Sequence, residues 1–299
     1  MKFFIKYFSL CLGILISFNS YSWNALGHMV VANIAYEHLR PDVRLKVDKI
    51  VSDLSKEYPY ITQFNQIGPW PDSLRAQRIE IFTHWHYIDL PLSADGTPIK
   101  TLQDTDNVVW AINHIKPIVK NNKANPYERA RFLAFLVHLV GDIHQPLHTV
   151  GRISSNHPDG DKGGNLYIIR FPRGSVNSMP LHKLWDSGFG VFSDDTSKAS
   201  VDLLTNKISA EYPEQYFALK SSDFISENWA KEGMDLALSF VYTTPENETP
   251  SDNYIERGQQ ISEQRIALAG YRLANLLNQL LSSSSDEVLD DQTTQNLTF

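Results

Sequence analysis

Cysteine is almost missing from this chain: of 299 residues only Cys11 is a cysteine, and it falls inside an atypical N-terminal stretch. A chain that starts after that stretch has no disulfide, so any staple beyond core packing has to come from elsewhere, and bound metal is a candidate. Positive charge is scarce too. Against 34 Asp and Glu stand 27 Lys and Arg, a formal charge of −7, which becomes −9 once Lys2 and Lys6 are lost with the leader. Such a balance excludes the basic surface of a protein that wraps duplex nucleic acid, but it leaves room for a local cationic site built from bound ions and one or two arginines. Long apolar runs are lacking as well. The one from Phe8 to Phe18 is shorter than the ~20 residues that span a bilayer. Internal repeats and interdomain linkers are absent.

That apolar run follows Lys2 and Lys6 and precedes the small residues Ser20 and Ser22. This is the layout of a cleavable secretory signal over residues 1–22, rather than of an uncleaved anchor. The mature protein is therefore expected in the periplasm or outside the cell, with no stable membrane association and no obligate protein partner.

The rest has ordinary globular composition, 42% hydrophobic and 20% charged, enough for a sizeable core. Apolar residues recur at helical spacing in GHMVVANIAYEHLRPD, which is expected to stop at Pro41, and in DVRLKVDKIVSDL. TDNVVWAINHIKPIV reads as helix up to about Pro117, and Asn125, Pro126 and Glu128 supply cap, first-turn proline and carboxylate for the helix ERARFLAFLVHLVGD. SNHPDGDKGGNLYIIRF reads as a glycine-rich loop feeding a short β run, and ISEQRIALAGYRLANLLNQLL as the clearest late helix. The expectation is an all-α, mainly helical single domain over residues 23–281 with at most a small β-hairpin. The serine-rich acidic stretch 282–299 is expected to be a disordered tail.

The chemistry concentrates in HLVGDIHQPLH. His138 and Asp142 are four apart, so they project from one helix face a turn apart, as two ligands to one metal require. His148 follows Pro146, where the chain can turn a further ligand back. The spacing recurs at His182 and Asp186 in MPLHKLWDSGFG. Two such pairs in one chain point to zinc, which takes imidazole and carboxylate at ~2.0–2.2 Å. The loop GPWPDSLRAQ adds Asp72 and Arg75, and FTHWHYIDLP adds His84, His86 and Asp89. Cleavage after Ser22 would free the α-amine of Trp23, with an ordinary pKa of ~7.7–8.0, and His28 lies five residues on.

In this order WNALGH, WPD, HYID, HLVGDIHQPLH, GGN, LHKLWD and AGYRLANLL make the chain resemble the zinc-dependent single-strand-specific nucleases and 3′-nucleotidases of fungi, plants and some bacteria, relatives of bacterial zinc-dependent phospholipase C. The resemblance implies a mostly helical fold with three zinc ions. The first would take Asp72, His86 and His138, the second His28 with the amine and carbonyl of Trp23, and Asp142 would bridge them. The third would take His148, His182 and Asp186. It also implies hydrolysis of single-stranded DNA and RNA to 5′-phosphorylated nucleotides, and dephosphorylation of 3′-nucleotides, by a zinc-bound hydroxide attacking phosphorus. Asp72 and Asp142 would be catalytic as ligands, and Arg75 would hold a phosphate oxygen in the transition state. Tyr87, Asp89, Gly164 and Asn165 would bind the nucleobase, with a core tyrosine and a turn asparagine as the competing readings of Tyr87 and Asn165. His144 is expected to support a ligand or to be structural. Two rival functions are a zinc-dependent phospholipase C and a non-catalytic exported zinc-binding protein. The fungal disulfides have no counterpart here.

Overall fold

Nine α-helices, six 3₁₀ segments and two short strand pairs are found in the described part of the protein, for which a computed structural model describes residues 23–100, 103–173 and 176–282. The leader and the acidic tail expected from the sequence lie outside the described residues, apart from Ser282. Helix α1 (Ala25–Glu37) starts where the Asn24 side chain accepts from the Gly27 N–H at 3.1 Å. Helix α2 (Pro41–Leu54) has Pro41 in its first turn, where the missing N–H is no loss. Pro41 thus opens a helix as well as following one. Short α3 (Trp70–Ala76) comes next, then α4 (Val108–Lys120), which runs through Pro117 rather than stopping there. With only one turn beyond the proline, a single ladder bond is lost.

Helix α5 (Pro126–Asp142) is capped as its sequence announces, with Asn125 accepting from Tyr127 and Glu128. From Leu133 to Asp142 every residue is buried, so no polar side chain on that stretch has water as its partner. Helices α6 (Leu181–Asp186), α7 (Lys198–Glu211) and α8 (Ser226–Ser239) follow. The last helix, α9 (Asp252–Leu281), begins nine residues earlier than its apolar pattern suggests, at a Ser251 cap. It packs closely on α1: a β-carbon at Gly270 would lie 2.6 Å from the Ile34 side chain. This all-α architecture is the one expected. Among the described residues no helix is long and apolar enough to cross a membrane.

The expected hairpin is β3 (Ile168–Arg173) against β4 (Val176–Pro180). A second pair, not legible in the sequence, joins β1 (Leu90–Ser93) to β2 (Val150–Ile153) in parallel, Leu90 opposite Val150. Just before it, the Ile88 N–H donates to the His148 carbonyl at 2.8 Å. This pairing lays the HYID segment beside the end of HQPLH.

Candidate metal centre

Four separate segments bring histidine and aspartate together in the interior. His28 comes from the first turn of α1, Asp72 from the first turn of α3, and His86 from the end of a 3₁₀ turn, Thr83–His86. His138 and Asp142 lie on the last turns of α5. Around Asp142, His138 Nε2 is 3.1 Å and His86 Nδ1 3.0 Å from Oδ2, and His28 Nε2 is 3.4 Å from Oδ1. His138 Nε2 and His86 Nδ1 are 2.9 Å apart, with Asp72 Oδ1 at 3.6 and 3.8 Å from them. A tetrahedron with bonds of ~2.0–2.2 Å has edges of roughly 3.3–3.6 Å, so these separations suit four donors around one small cation. A second group, His148, His182 and Asp186, has Nε2 atoms 4.0 and 3.4 Å from Asp186 Oδ1.

The hydrogen bonds on the outer nitrogens decide which way the rings present their lone pairs. His138 Nδ1–H donates to the Gly68 carbonyl at 2.8 Å, His148 Nδ1–H to the His86 carbonyl at 2.7 Å, and His182 Nδ1–H to the Gly163 carbonyl at 2.6 Å. Each ring is thereby held in the tautomer that turns a bare Nε2 toward its cluster. Meanwhile Asp72 Oδ1, Asp142 Oδ1 and His148 Nε2 are buried without a hydrogen-bond partner among the described residues. Orphaned acceptors of this kind are costly unless something positive meets them. The set of donors fits zinc.

Charge tells the same story. Burial alone would lower the His138 pKa, but the facing carboxylates of Asp142 and Asp72 raise it to about 9. Asp142, although buried, is held well below the usual carboxylate range by His138, His28 and His86. Burial, with Asp142 and Asp72 adding to it against the Gln145 hydrogen bond, drives Asp186 well above that range. His148 is pushed down to about 3, chiefly by burial. The facing carboxylates thus favour positive charge on His138, while burial favours the neutral form of Asp186.

Three glycines make room for this arrangement. A β-carbon on Gly141 would lie 2.8 Å from His28 Nδ1, and one on Gly68 would lie 2.9 Å from the His28 carbonyl. Gly163, at φ +60°, would put a β-carbon 2.3 Å from the Leu147 carbonyl while its own carbonyl holds His182. Sequence reasoning did not single out these three. It also missed Gln145, wholly buried, whose Nε2 donates to Asp186 Oδ1 at 2.8 Å. Gln145 stands within HQPLH, but its partner Asp186 is 41 residues away, a separation no local pattern reports.

Trp23 is completely buried beside this cluster, its indole N–H donating to the Gly141 carbonyl at 3.0 Å and its ring edge-on to Phe192. Arg75 is half-buried on α3, one turn after Asp72, near enough that its charge lowers the pKa of both Tyr87 and Asp186. Tyr87 and Asp89 are half-buried. Burial, then Asp89, pushes Tyr87 up to about 12, and burial, then Asp161, pushes Asp89 up to about 7. Gly164, at φ +78°, packs on Leu147, and the half-buried Asn165 donates to the Lys162 carbonyl at 2.8 Å.

The other histidines are elsewhere. His144 donates from Nδ1 to the Val140 carbonyl and receives Arg272 at Nε2, so it touches no member of either cluster through its ring. His84 faces Asp104 and Asp106 on the surface, His114 stacks on Trp110, His38 holds the Ile34 carbonyl, and His157 pairs with Glu246 at 2.9 Å.

Comparison with known proteins agrees with the geometry. The S1/P1 Nuclease family model matches residues 23–282. Nuclease S1 of Aspergillus oryzae is 27% identical over 89% of this chain and 94% of its own length. Nuclease P1 of Penicillium citrinum is 27% identical over 87% and 98%, and Endonuclease 4 of Arabidopsis thaliana 28% over 87% and 90%.

Proposed function

The chain belongs to the S1/P1 nuclease family, and from that premise we propose that it is an exported zinc-dependent enzyme that hydrolyses single-stranded DNA and RNA to 5′-phosphorylated nucleotides and also dephosphorylates 3′-nucleotides. The observation that carries this reading is the buried junction at Asp142, where carboxylate and imidazole donors converge at 2.9–3.8 Å from four segments far apart in sequence. Export is supported by the start of the family match at Trp23, the residue that leader removal would expose. The same match supports a single domain over residues 23–281.

Asp72, His86 and His138 would hold one zinc, His28 and the terminal amine and carbonyl of Trp23 a second, with Asp142 shared between them. His148, His182 and Asp186 would hold a third. When bound, the ions supply Lewis-acid polarisation of a phosphoryl oxygen and a nucleophile available near neutral pH. The protein's own side chains do the rest. Asp142 would be the carboxylate shared by two of the sites, and Gln145 holds Asp186 by donating to its Oδ1. Arg75 follows Asp72 by one helical turn and donates to a non-bridging phosphate oxygen, where its planar fork stabilises the added charge of the transition state.

Selection of single strands falls to Tyr87, Asp89, Gly164 and Asn165. A ring can grip a base and a polar edge can read it only when the base is unstacked, which a duplex resists. Three divalent ions against Asp72, Asp142 and Asp186 leave a local excess near +3 within a protein of formal charge −7. Phosphate is thus drawn to one point without a basic surface.

The deciding experiment purifies the form that starts at Trp23, counts zinc per chain, and assays single strands, duplex, 3′-AMP and phosphatidylcholine side by side. Cleavage of single strands and of 3′-AMP with three zincs is expected. Hydrolysis of phosphatidylcholine alone would replace this reading with a phospholipase, and zinc binding without any hydrolysis would replace it with a metal-binding protein.

A further inference from the structure

A cavity of about 450 Å³ opens between α8, α9 and the segment Glu214–Ser222, within the ~300–1,000 Å³ of ordinary small-molecule sites. None of its lining residues belongs to the metal centre. On one side lies Arg265, buried and rigidly held: its Nε donates to the His144 carbonyl at 2.9 Å and its Nη1 to Glu232 at 2.8 Å. Its Nη2 is buried with no acceptor among the described residues. Behind it Arg272, fully buried, grips the same Glu232 with both terminal nitrogens at 2.8 Å and donates to His144 Nε2 at 2.9 Å.

Two buried guanidinium groups therefore share one carboxylate, which leaves one positive charge without a counter-charge and one donor without an acceptor. At the mouth Lys220 adds another cation. The rest of the lining is different in kind. Tyr216, exposed and tied by Gln264 Nε2 at 3.3 Å, stands with Phe217 as an aromatic wall. Asp235 supplies an acceptor on the rim.

We propose that this cavity is a second binding site, for a nucleoside monophosphate: the phosphate meets Arg265 and Lys220, the base stacks on Tyr216 with Phe217, set at 75° to it, against its edge, and Asp235 accepts from a ribose hydroxyl or an amino group of the base. A bare phosphate would answer the charge but leave the aromatic wall idle. The choice of a nucleotide rests on the proposed function, since a 5′-mononucleotide is the product expected from it. Arg265 loses little entropy on binding because its other nitrogens are already fixed.

Calorimetric titration of the zinc-loaded protein that starts at Trp23, with 5′-AMP, adenosine and inorganic phosphate in turn, tests the site. Two 5′-AMP sites are expected in the parent, one of them in the phosphate-cleaving centre. Lys220→Glu and Tyr216→Ala, both on exposed residues, should each weaken one site about tenfold or more without changing the rate on single-stranded DNA, and Arg75→Ala should weaken the other. A single site abolished by Arg75→Ala overturns the proposal. So does a second site that ignores Lys220→Glu and Tyr216→Ala, or one that takes inorganic phosphate as tightly as 5′-AMP. The assay on single strands separates the two readings: a Lys220-dependent site in a protein that cleaves no single strand would sink the function and leave the site.

Discussion

At the scale of single residues, Asp142 is the least replaceable. It faces three histidines at 3.0–3.4 Å while one oxygen waits for a hydrogen-bond partner. Asp142→Asn keeps size and shape but removes the charge that two cations would share. Hydrolysis should fall by roughly 10³-fold or more while the far-ultraviolet dichroism is unchanged. Full activity in that variant would refute the shared-ligand role. Gly141→Ala tests the same spot by crowding. Its β-carbon would stand 2.8 Å from His28 Nδ1, so chelator competition should show zinc held about 10–100-fold less tightly at one site. Asp89 makes a pH prediction. Burial raises its pKa from 3.8 to about 7, so between those values the folded metal-free protein binds more protons than the unfolded one. Its contribution to stability is accordingly lost as pH rises from about 4 to about 7. Urea midpoints across that range should show this slope, and Asp89→Asn should flatten it.

Among elements, the end of α5 depends on α8 and α9. Glu232 on α8 is shared by Arg265 and Arg272 on α9, and both arginines reach His144, which lies between Asp142 and His148 in the chain. The two arginines overcome the burial penalty and hold the Glu232 carboxyl below its usual range. Glu232→Ala would leave two buried cations facing each other, at a cost of about 3 kcal/mol, readable in the urea midpoint. The stabilisation Glu232 provides is present above its unfolded pKa and fades as pH falls through the folded one, so variant and parent should converge in acid. A gap that persisted unchanged at low pH would assign Glu232 a packing role instead.

For the whole molecule, metal is expected to take the place of the missing disulfides. A ligand present at 1,000 times its Kd adds ~4 kcal/mol to stability, so EDTA should lower the melting temperature sharply. An unchanged melt would remove metal from the account of stability. Zinc binding should also release protons, because the facing carboxylates raise His138 to about 9 and burial raises Asp186. Affinity measured by chelator competition is therefore expected to strengthen as pH rises from about 5 to about 8.

Helices and the i, i+4 pairs were legible in the linear pattern because both depend on neighbours within a turn or two: the Asn125 cap, the apolar spacing of α5, and His138 with Asp142 or His182 with Asp186 on one face. The motif order was equally plain. What only the tertiary structure decided is everything that joins distant segments. It paired Leu90 with Val150, brought Gln145 to Asp186, made Gly68 and Gly141 into clearances for His28 and Gly163 into one for the Leu147 carbonyl, and turned the His144 ring toward Arg272. The physical reason is that these contacts are between groups whose separation along the chain says nothing about their separation in space. Periodicity reports which face of an element is buried, but not which atom lies across from it.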